Sequence, residues 1–242
     1  MPFVSSRGKR IHYTVQGAGP LVVLQHGLLM NAGSWTQSGI VDALADGFRV
    51  ACVDSLGHGL SDKPSDPELY DQEQRSGDIV AVIDDLGYDR AHLVGYSMGG
   101  WLSVGVAKHH PERLSSLIVG GWDPVKGLPP GPKGPLRFDN FMKFATKTAP
   151  TLVEWVTPEF EPAVRACFEA LSQIQGAREA VLTTNFPVMF WQGRDDPCHD
   201  PVQAFAGANG RSFLSSAGDH VAAVLRPDAA TIKGIRSFLD VV

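Results

Sequence analysis

The chain has little that would tie it to nucleic acid, a membrane or a metal. Its 21 Lys and Arg are outnumbered by 26 Asp and Glu, for a net charge of -5. A surface of that sign does not attract phosphate backbones or anionic lipid. No apolar stretch is long enough to span a bilayer, and the first ten residues lack the apolar segment of an export signal, so a cytoplasmic location is expected. Only three cysteines occur, Cys52, Cys167 and Cys198, with no C-x-x-C spacing. An odd set of this kind suggests neither a disulfide framework nor a zinc site, and buried, reduced thiols are expected. His199, between Cys198 and Asp200, does not make a metal site either, because adjacent residues rarely converge on one ion. No cofactor and no metal are expected. The expected partner is a small-molecule substrate, with monomer and dimer both open. Internal repeats, low-complexity tracts and a second-domain linker are also missing.

What is present is an ordinary globular composition, 43% hydrophobic over 242 residues, enough for one large core or one domain carrying an insertion. The most informative stretch is Gly95-Tyr96-Ser97-Met98-Gly99-Gly100. It lies between the apolar run Ala91 to Val94 and a helix-like run from Trp101 to His109. A serine on a sharp strand-to-helix turn needs neighbours without side chains, so that strand and helix can cross closely. The free N–H groups and positive dipole of the following helix are then placed to meet developing negative charge.

Along the chain, Ile11 to Val15 alternates as a half-exposed strand, whereas Leu21 to Leu24, Phe48 to Val53, Leu114 to Gly120 and Val188 to Gln192 are continuous apolar runs. Such runs fit strands buried on both faces of a parallel sheet. Helices are expected over Ser34 to Leu44, over Glu68 to Leu86, near Val202 to Ala208 and over Ala229 to Leu239, with a short strand at Ser212 to Leu214. Asp54 to Ser61 is a glycine-containing turn without the Lys-Ser/Thr ending of a phosphate-binding loop. Between Asp123 and Asn185 the alternation stops, opening with the proline- and glycine-rich run Gly127 to Pro135. Phe138, Phe141, Met142 and Phe144, then Leu152 to Val156, then Val164 to Leu171 read as short amphipathic helices. The expected organisation is a core of 1–122 and 186–242 with a helical cap of 123–185.

A serine hydroxyl needs a base to take its proton, and the base needs an orienting carboxylate. Ser97, Asp196 and His220 follow one another in that chain order. With His26-Gly27, Asp54-x-x-Gly57-x-Gly59-x-Ser61, Gly95 to Gly99, Gly193-x-x-Asp196 and Gly218-x-His220, the sequence resembles the α/β-hydrolase family over nearly the whole chain except the cap. The resemblance implies a mostly parallel central sheet with helices on both faces. It implies His220 as general base, Asp196 as its orienting acid, and an oxyanion hole from the backbone N–H groups of Leu28 and Met98. Asp195 and Asp123 remain alternatives for the acid. His26 and His58 are expected to make structural hydrogen bonds; His12, His109 and His110 are expected at the surface.

Dehalogenases and epoxide hydrolases of this fold carry aspartate at the nucleophile position, so the resemblance with Ser97 implies acyl transfer instead. Trp122, Phe141 and Trp155 are pocket candidates, suited to a small or medium ester or lactone with an apolar portion. C–C bond hydrolysis, perhydrolysis and cofactor-free dioxygenation use the same triad in relatives. A ligand receptor with a slow triad is a reading of another class, for which the glycine- and proline-rich residues between Val125 and Pro135 offer no apolar patch.

Overall fold

The computed structural model describes residues 2–131 and 134–241. Eight strands form one sheet: β1 (Phe3–Ser6), β2 (Lys9–Gln16), β3 (Leu21–Gln25), β4 (Arg49–Val53), β5 (Ala91–Tyr96), β6 (Leu114–Gly120), β7 (Val188–Gly193) and β8 (Ser212–Ser216). Their order is β1-β2-β4-β3-β5-β6-β7-β8, with antiparallel pairing at β1/β2 and β2/β4 and parallel pairing elsewhere. Eleven α-helices are present among the described residues: α1 (Ala32–Gln37), α2 (Ile40–Ala45), α3 (Gln72–Asp85), α4 (Met98–His109), α5 (Phe138–Thr148), α6 (Pro150–Val153), α7 (Glu161–Ala170), α8 (Ala177–Leu182), α9 (His199–Ala208), α10 (His220–Leu225) and α11 (Ala229–Asp240).

The apolar strand runs feed two cores because successive side chains point to opposite faces. Leu21 and Val23, Ala51 and Val53, Leu117 and Val119, and Val188 and Phe190 face α3, α4, α8 and α9. Val22 and Leu24, Val50 and Cys52, Val94 and Tyr96, and Met189 and Trp191 face α1, α2, α10 and α11. This double burial is why the runs do not alternate with polar residues.

The expected helix over Ser34 to Leu44 is two helices, because Gly39 adopts φ +79 and breaks the turn between them. The expected helix over Glu68 to Leu86 is also divided. A 3-10 turn over Pro67–Tyr70 precedes Asp71, whose carboxylate accepts from the Glu73 and Gln74 N–H groups and starts α3 afresh. Strand β1 and helix α10 add elements that the sequence pattern did not resolve. Between β6 and β7 the chain forms α5 to α8. Of these, α8 packs against α4 and belongs to the helical layer over the sheet. On α5, Phe138 is buried but Phe144 is 64% exposed, so the expected apolar face there is narrower than its aromatics suggest. Of the run Gly127 to Pro135, Pro132 and Lys133 lie outside the described residues.

Strand β5 sits between β3 and β6, and its C-terminal end feeds directly into α4. The crossing is tight: a Cβ on Gly95 would collide with the Gly99 carbonyl, and one on Gly99 with the Gln25 carbonyl. Gly99→Ala is therefore expected to cost about 3 kcal/mol or more of stability, since the obstructing atoms are backbone. Urea unfolding measures it, and a loss below about 1 kcal/mol contradicts the close-crossing account.

Candidate active site

The strand C-terminal ends on the parallel side of the sheet bring the chemistry together. Ser97 follows β5 at φ +57 and ψ -118, in the left-handed half of backbone space that a non-glycine residue rarely occupies. Its N–H donates to the Gly120 carbonyl at 2.8 Å, and its carbonyl accepts from Trp101 N–H at 3.0 Å, so the apex is tied to β6 and to α4. Asp196 follows β7 and is 5% exposed. One of its carboxylate oxygens lies 2.5 Å from His220 Nδ1, while the other accepts from the Cys198 N–H at 2.8 Å. The loops bearing this pair are stitched by Arg194 N–H to the Ser216 carbonyl (2.8 Å) and Asp195 N–H to the Gly218 carbonyl (3.0 Å).

His220 opens α10, where the Asp219 side chain caps the Val221 and Ala222 N–H groups. Its ring packs on Tyr96 with centroids 5.3 Å apart and lies close enough to Gly121 that a Cβ there would fall 3.0 Å from Cε1. His220 therefore stands over the residues flanking Ser97. No hydrogen bond joins it to Ser97 Oγ among the described residues; such bonds tighten when a substrate docks. Burial would raise the Asp196 carboxyl, but the hydrogen bond and charge of His220 outweigh it and bring it below the ordinary carboxylate value. Burial, then the Asp196 charge, push the Cys198 thiol up to about 12, which leaves it protonated and unreactive.

Neither alternative acid has a hydrogen bond to His220 among the described residues. Asp195 is exposed. Asp123 is buried, but its carboxylate accepts from the Val125 and Lys126 N–H groups at 2.7 and 3.0 Å and so closes a turn.

The turn after β3 lies against the nucleophile: a Cβ on Gly27 would fall 3.2 Å from Ser97 Cβ. Leu29 in this turn is itself left-handed, at φ +68, a state that costs about 1–2 kcal/mol. The N–H groups of Leu28 and Met98 have no hydrogen-bond partner among the described residues. Three pocket candidates fare differently. Trp155 reaches the site's edge and donates its indole N–H to the Leu29 carbonyl at 2.9 Å. Trp122 is 2% exposed and packs beside Gly100 at the start of α4. Phe141 stacks on Phe168 at 5.2 Å within the helical insert. A groove of about 470 Å³ in that insert is lined by Leu128, Leu136, Phe138 and Phe168, with Arg137 and Arg165 on its rim, and its lining does not include Ser97 or His220.

Beneath the site lies a set of buried polar groups. His26 donates from Nδ1 to the Gly27 carbonyl at 2.8 Å and accepts the Ser55 N–H on Nε2. His58 Nε2 accepts the Leu29 N–H at 3.3 Å. His12, expected at the surface, is instead 3% exposed and bound to Asp54 at 2.7 Å, because β1 and the Asp54 loop cover it. Asp54 also accepts from the Ala32 and Leu60 N–H groups, which makes the Asp54 to Ser61 segment a structural turn. Arg75, 1% exposed, has no carboxylate partner among the described residues; Nη2 lies 3.3 Å from Met98 Sδ, and Nε and Nη1 find no partner there either. His58 thus makes the kind of structural hydrogen bond to backbone expected of it, whereas sequence reading missed Arg75 and the Trp155 contact. His199 bonds Ser215 and Asp200, and no cluster of three or more His, Cys, Asp or Glu suited to a metal occurs among the described residues.

Burial lowers the His26 and His58 pKa values, the latter well below the ordinary histidine value, with Arg75 and, for His58, the neighbouring His26 adding in the same direction. Both rings are neutral in the fold, so a chain unfolded below about pH 6.5 takes up protons that the folded one refuses. Stability is therefore intact above about pH 6.5 and falls below it, by about 1.4 kcal/mol per pH unit per histidine until the folded pKa is reached. Urea midpoints between about pH 7.5 and about pH 5 check this; a flat profile rules it out.

A family model described as alpha/beta hydrolase fold matches residues 20–155. Epoxide hydrolase 1 of Caenorhabditis elegans is 33% identical over 118 residues, covering 48% of this chain and 29% of that protein. Cis-3-alkyl-4-alkyloxetan-2-one decarboxylase of Shewanella oneidensis is 34% identical over 119 residues, 48% of this chain and 37% of that protein. The chain thus matches well under half the length of these curated relatives. Among solved structures, the enol-lactonase from Burkholderia xenovorans LB400 superimposes with a TM-score of 0.75 at 25% identity, covering 99% of this chain and 100% of that one. No helix among the described residues is long and apolar enough to cross a membrane. With its eight-stranded, mostly parallel sheet and its serine at the strand-to-helix turn, the chain belongs to the α/β-hydrolase family.

Proposed function

We propose that this protein hydrolyses small or medium carboxylic esters or lactones through an acyl-enzyme on Ser97. The observation that carries this reading is the His220–Asp196 pair at 2.5 Å, with the His220 ring packed on Tyr96, the residue before a serine held in the left-handed region. In this reading, His220 Nε2 takes the Ser97 proton as Oγ attacks the carbonyl carbon, and Asp196 fixes the imidazole tautomer that leaves Nε2 free to accept it. The carbonyl oxygen gathers negative charge and is met by the Leu28 and Met98 N–H groups, neither of which has another partner among the described residues. His220 then passes its proton to the leaving alkoxide. Water, deprotonated by the same imidazole, cleaves the acyl-enzyme and restores Ser97.

The identity of the nucleophile separates this chain from the epoxide hydrolase it resembles, since an ester intermediate on aspartate needs a carboxylate where Ser97 stands. The enol-lactonase of similar structure, and the relative named for an oxetan-2-one, which is a four-membered lactone, favour cyclic esters within this class.

A fluorophosphonate probe followed by mass spectrometry, with burst kinetics on p-nitrophenyl acetate and butyrate, tests the mechanism. Stoichiometric labelling at Ser97 is expected, with a loss of kcat of about 10⁵-fold or more in Ser97→Ala. Neither labelling nor turnover in the wild type sinks the acyl-enzyme mechanism. Asp196→Asn is expected to lower kcat by about 10³- to 10⁴-fold, whereas Asp123→Asn and Asp195→Asn stay within a few-fold. The reverse ranking moves the acid away from Asp196.

A further inference from the structure

We infer that Trp155 is a positioning residue that locks the aim of the Leu28 N–H, so that seating of the helical insert and competence of the oxyanion hole are one event. This rests on the proposed role of Leu28 as an oxyanion donor.

The geometry begins with a planar peptide. The Gly27 carbonyl and the Leu28 N–H belong to one trans unit and point in opposite directions, so whatever holds the carbonyl aims the N–H. Two donors hold it: His26 Nδ1 at 2.8 Å and the Met30 N–H at 3.1 Å. The next peptide groups are held as firmly. The Leu29 N–H donates to His58 Nε2 at 3.3 Å, and the Leu29 carbonyl accepts from Trp155 Nε1 at 2.9 Å.

Leu29 is one of three non-glycine residues with positive φ among the described residues, the others being Arg7 and Ser97. A leucine stays there only if its surroundings over-determine it. His58 alone is one donor-acceptor pair. Trp155, 126 positions away in sequence, supplies the second and also packs its ring edge-on to His58, with centroids 5.3 Å apart. The clamp thus has a part fixed in the core, His58, and a part carried by the insert, Trp155, which follows α6. When the insert lifts, the Leu29 carbonyl loses its donor, Leu29 relaxes toward negative φ, and the Met30 N–H to Gly27 bond that closes the turn goes with it. The Leu28 N–H then swings away from Ser97.

Trp155→Phe in the full chain separates this role from that of a pocket wall, because phenylalanine keeps an aromatic ring near His58 while removing the indole N–H together with the five-membered ring. The expected result is a fall in kcat of about ten-fold, equal for p-nitrophenyl acetate and p-nitrophenyl butyrate, with KM within two-fold. Binding of a trifluoromethyl ketone, whose adduct carries the oxyanion, weakens by the same factor. A rise in KM that grows with acyl length at constant kcat overturns the inference, as does unchanged kinetics. Amide hydrogen exchange gives a readout free of catalysis. The Leu29 N–H is expected to exchange faster in Trp155→Phe than in wild type while the slowest core amides are unchanged; equal rates at Leu29 overturn it. If wild type shows no Ser97-dependent turnover, the hydrolase reading fails by itself, and the exchange experiment still decides whether Trp155 holds this turn.

Discussion

The structure depends on one steric constraint, the left-handed backbone of Ser97 where β5 passes into α4. A serine holds that conformation only because the strand and helix approach until backbone meets backbone, and glycines at 95 and 99 permit the approach. The same turn leaves Met98 at the first helical position, with its N–H unused among the described residues. Apolar burial on both faces of the sheet keeps the crossing closed. Val94 and Tyr96 anchor one face of β5 and Leu93 the other, so the strained apex rests on a strand that cannot shift without opening both cores.

Around that apex, electrostatics is arranged by burial more than by ion pairs. Asp54 spreads its charge over the Ala32 and Leu60 N–H groups and His12, holding three segments at one carboxylate. His26 and His58 are kept neutral, which lets each present one acceptor nitrogen to a backbone N–H. Arg75 is the exception, a guanidinium with no carboxylate partner among the described residues, 5.8 Å from the ring centroids of both Tyr70 and Trp101 and against Met98. A buried unpaired cation is costly to the fold.

The family shares this scaffold among several chemistries, and the scaffold alone does not choose between them. What differs is the atom at the apex and the group that the β7 and β8 loops hold over it. Here those are a hydroxyl and an imidazole backed by a carboxylate, the combination on which the proposed acyl transfer rests.

The sequence by itself determined the sheet, the elbow and the order of the polar groups, because these are local signals: apolar runs of strand length, glycines at a crossing, and motifs at strand ends. It also singled out Ser97, Asp196 and His220, which follow β5, β7 and β8 in the fold, with Asp196 bonded to His220. It left Asp195 and Asp123 as rivals, since the direction of a side chain at a strand end depends on the neighbouring loop; only the stitching of the β7 and β8 loops separates Asp196 from Asp195. The burial of His12, the acceptor role of His58, the lone charge of Arg75 and the contact of Trp155 with Leu29 were likewise decided by tertiary structure. Each joins segments tens to more than a hundred positions apart, and no pattern within a short window encodes what packs against a side chain from that distance.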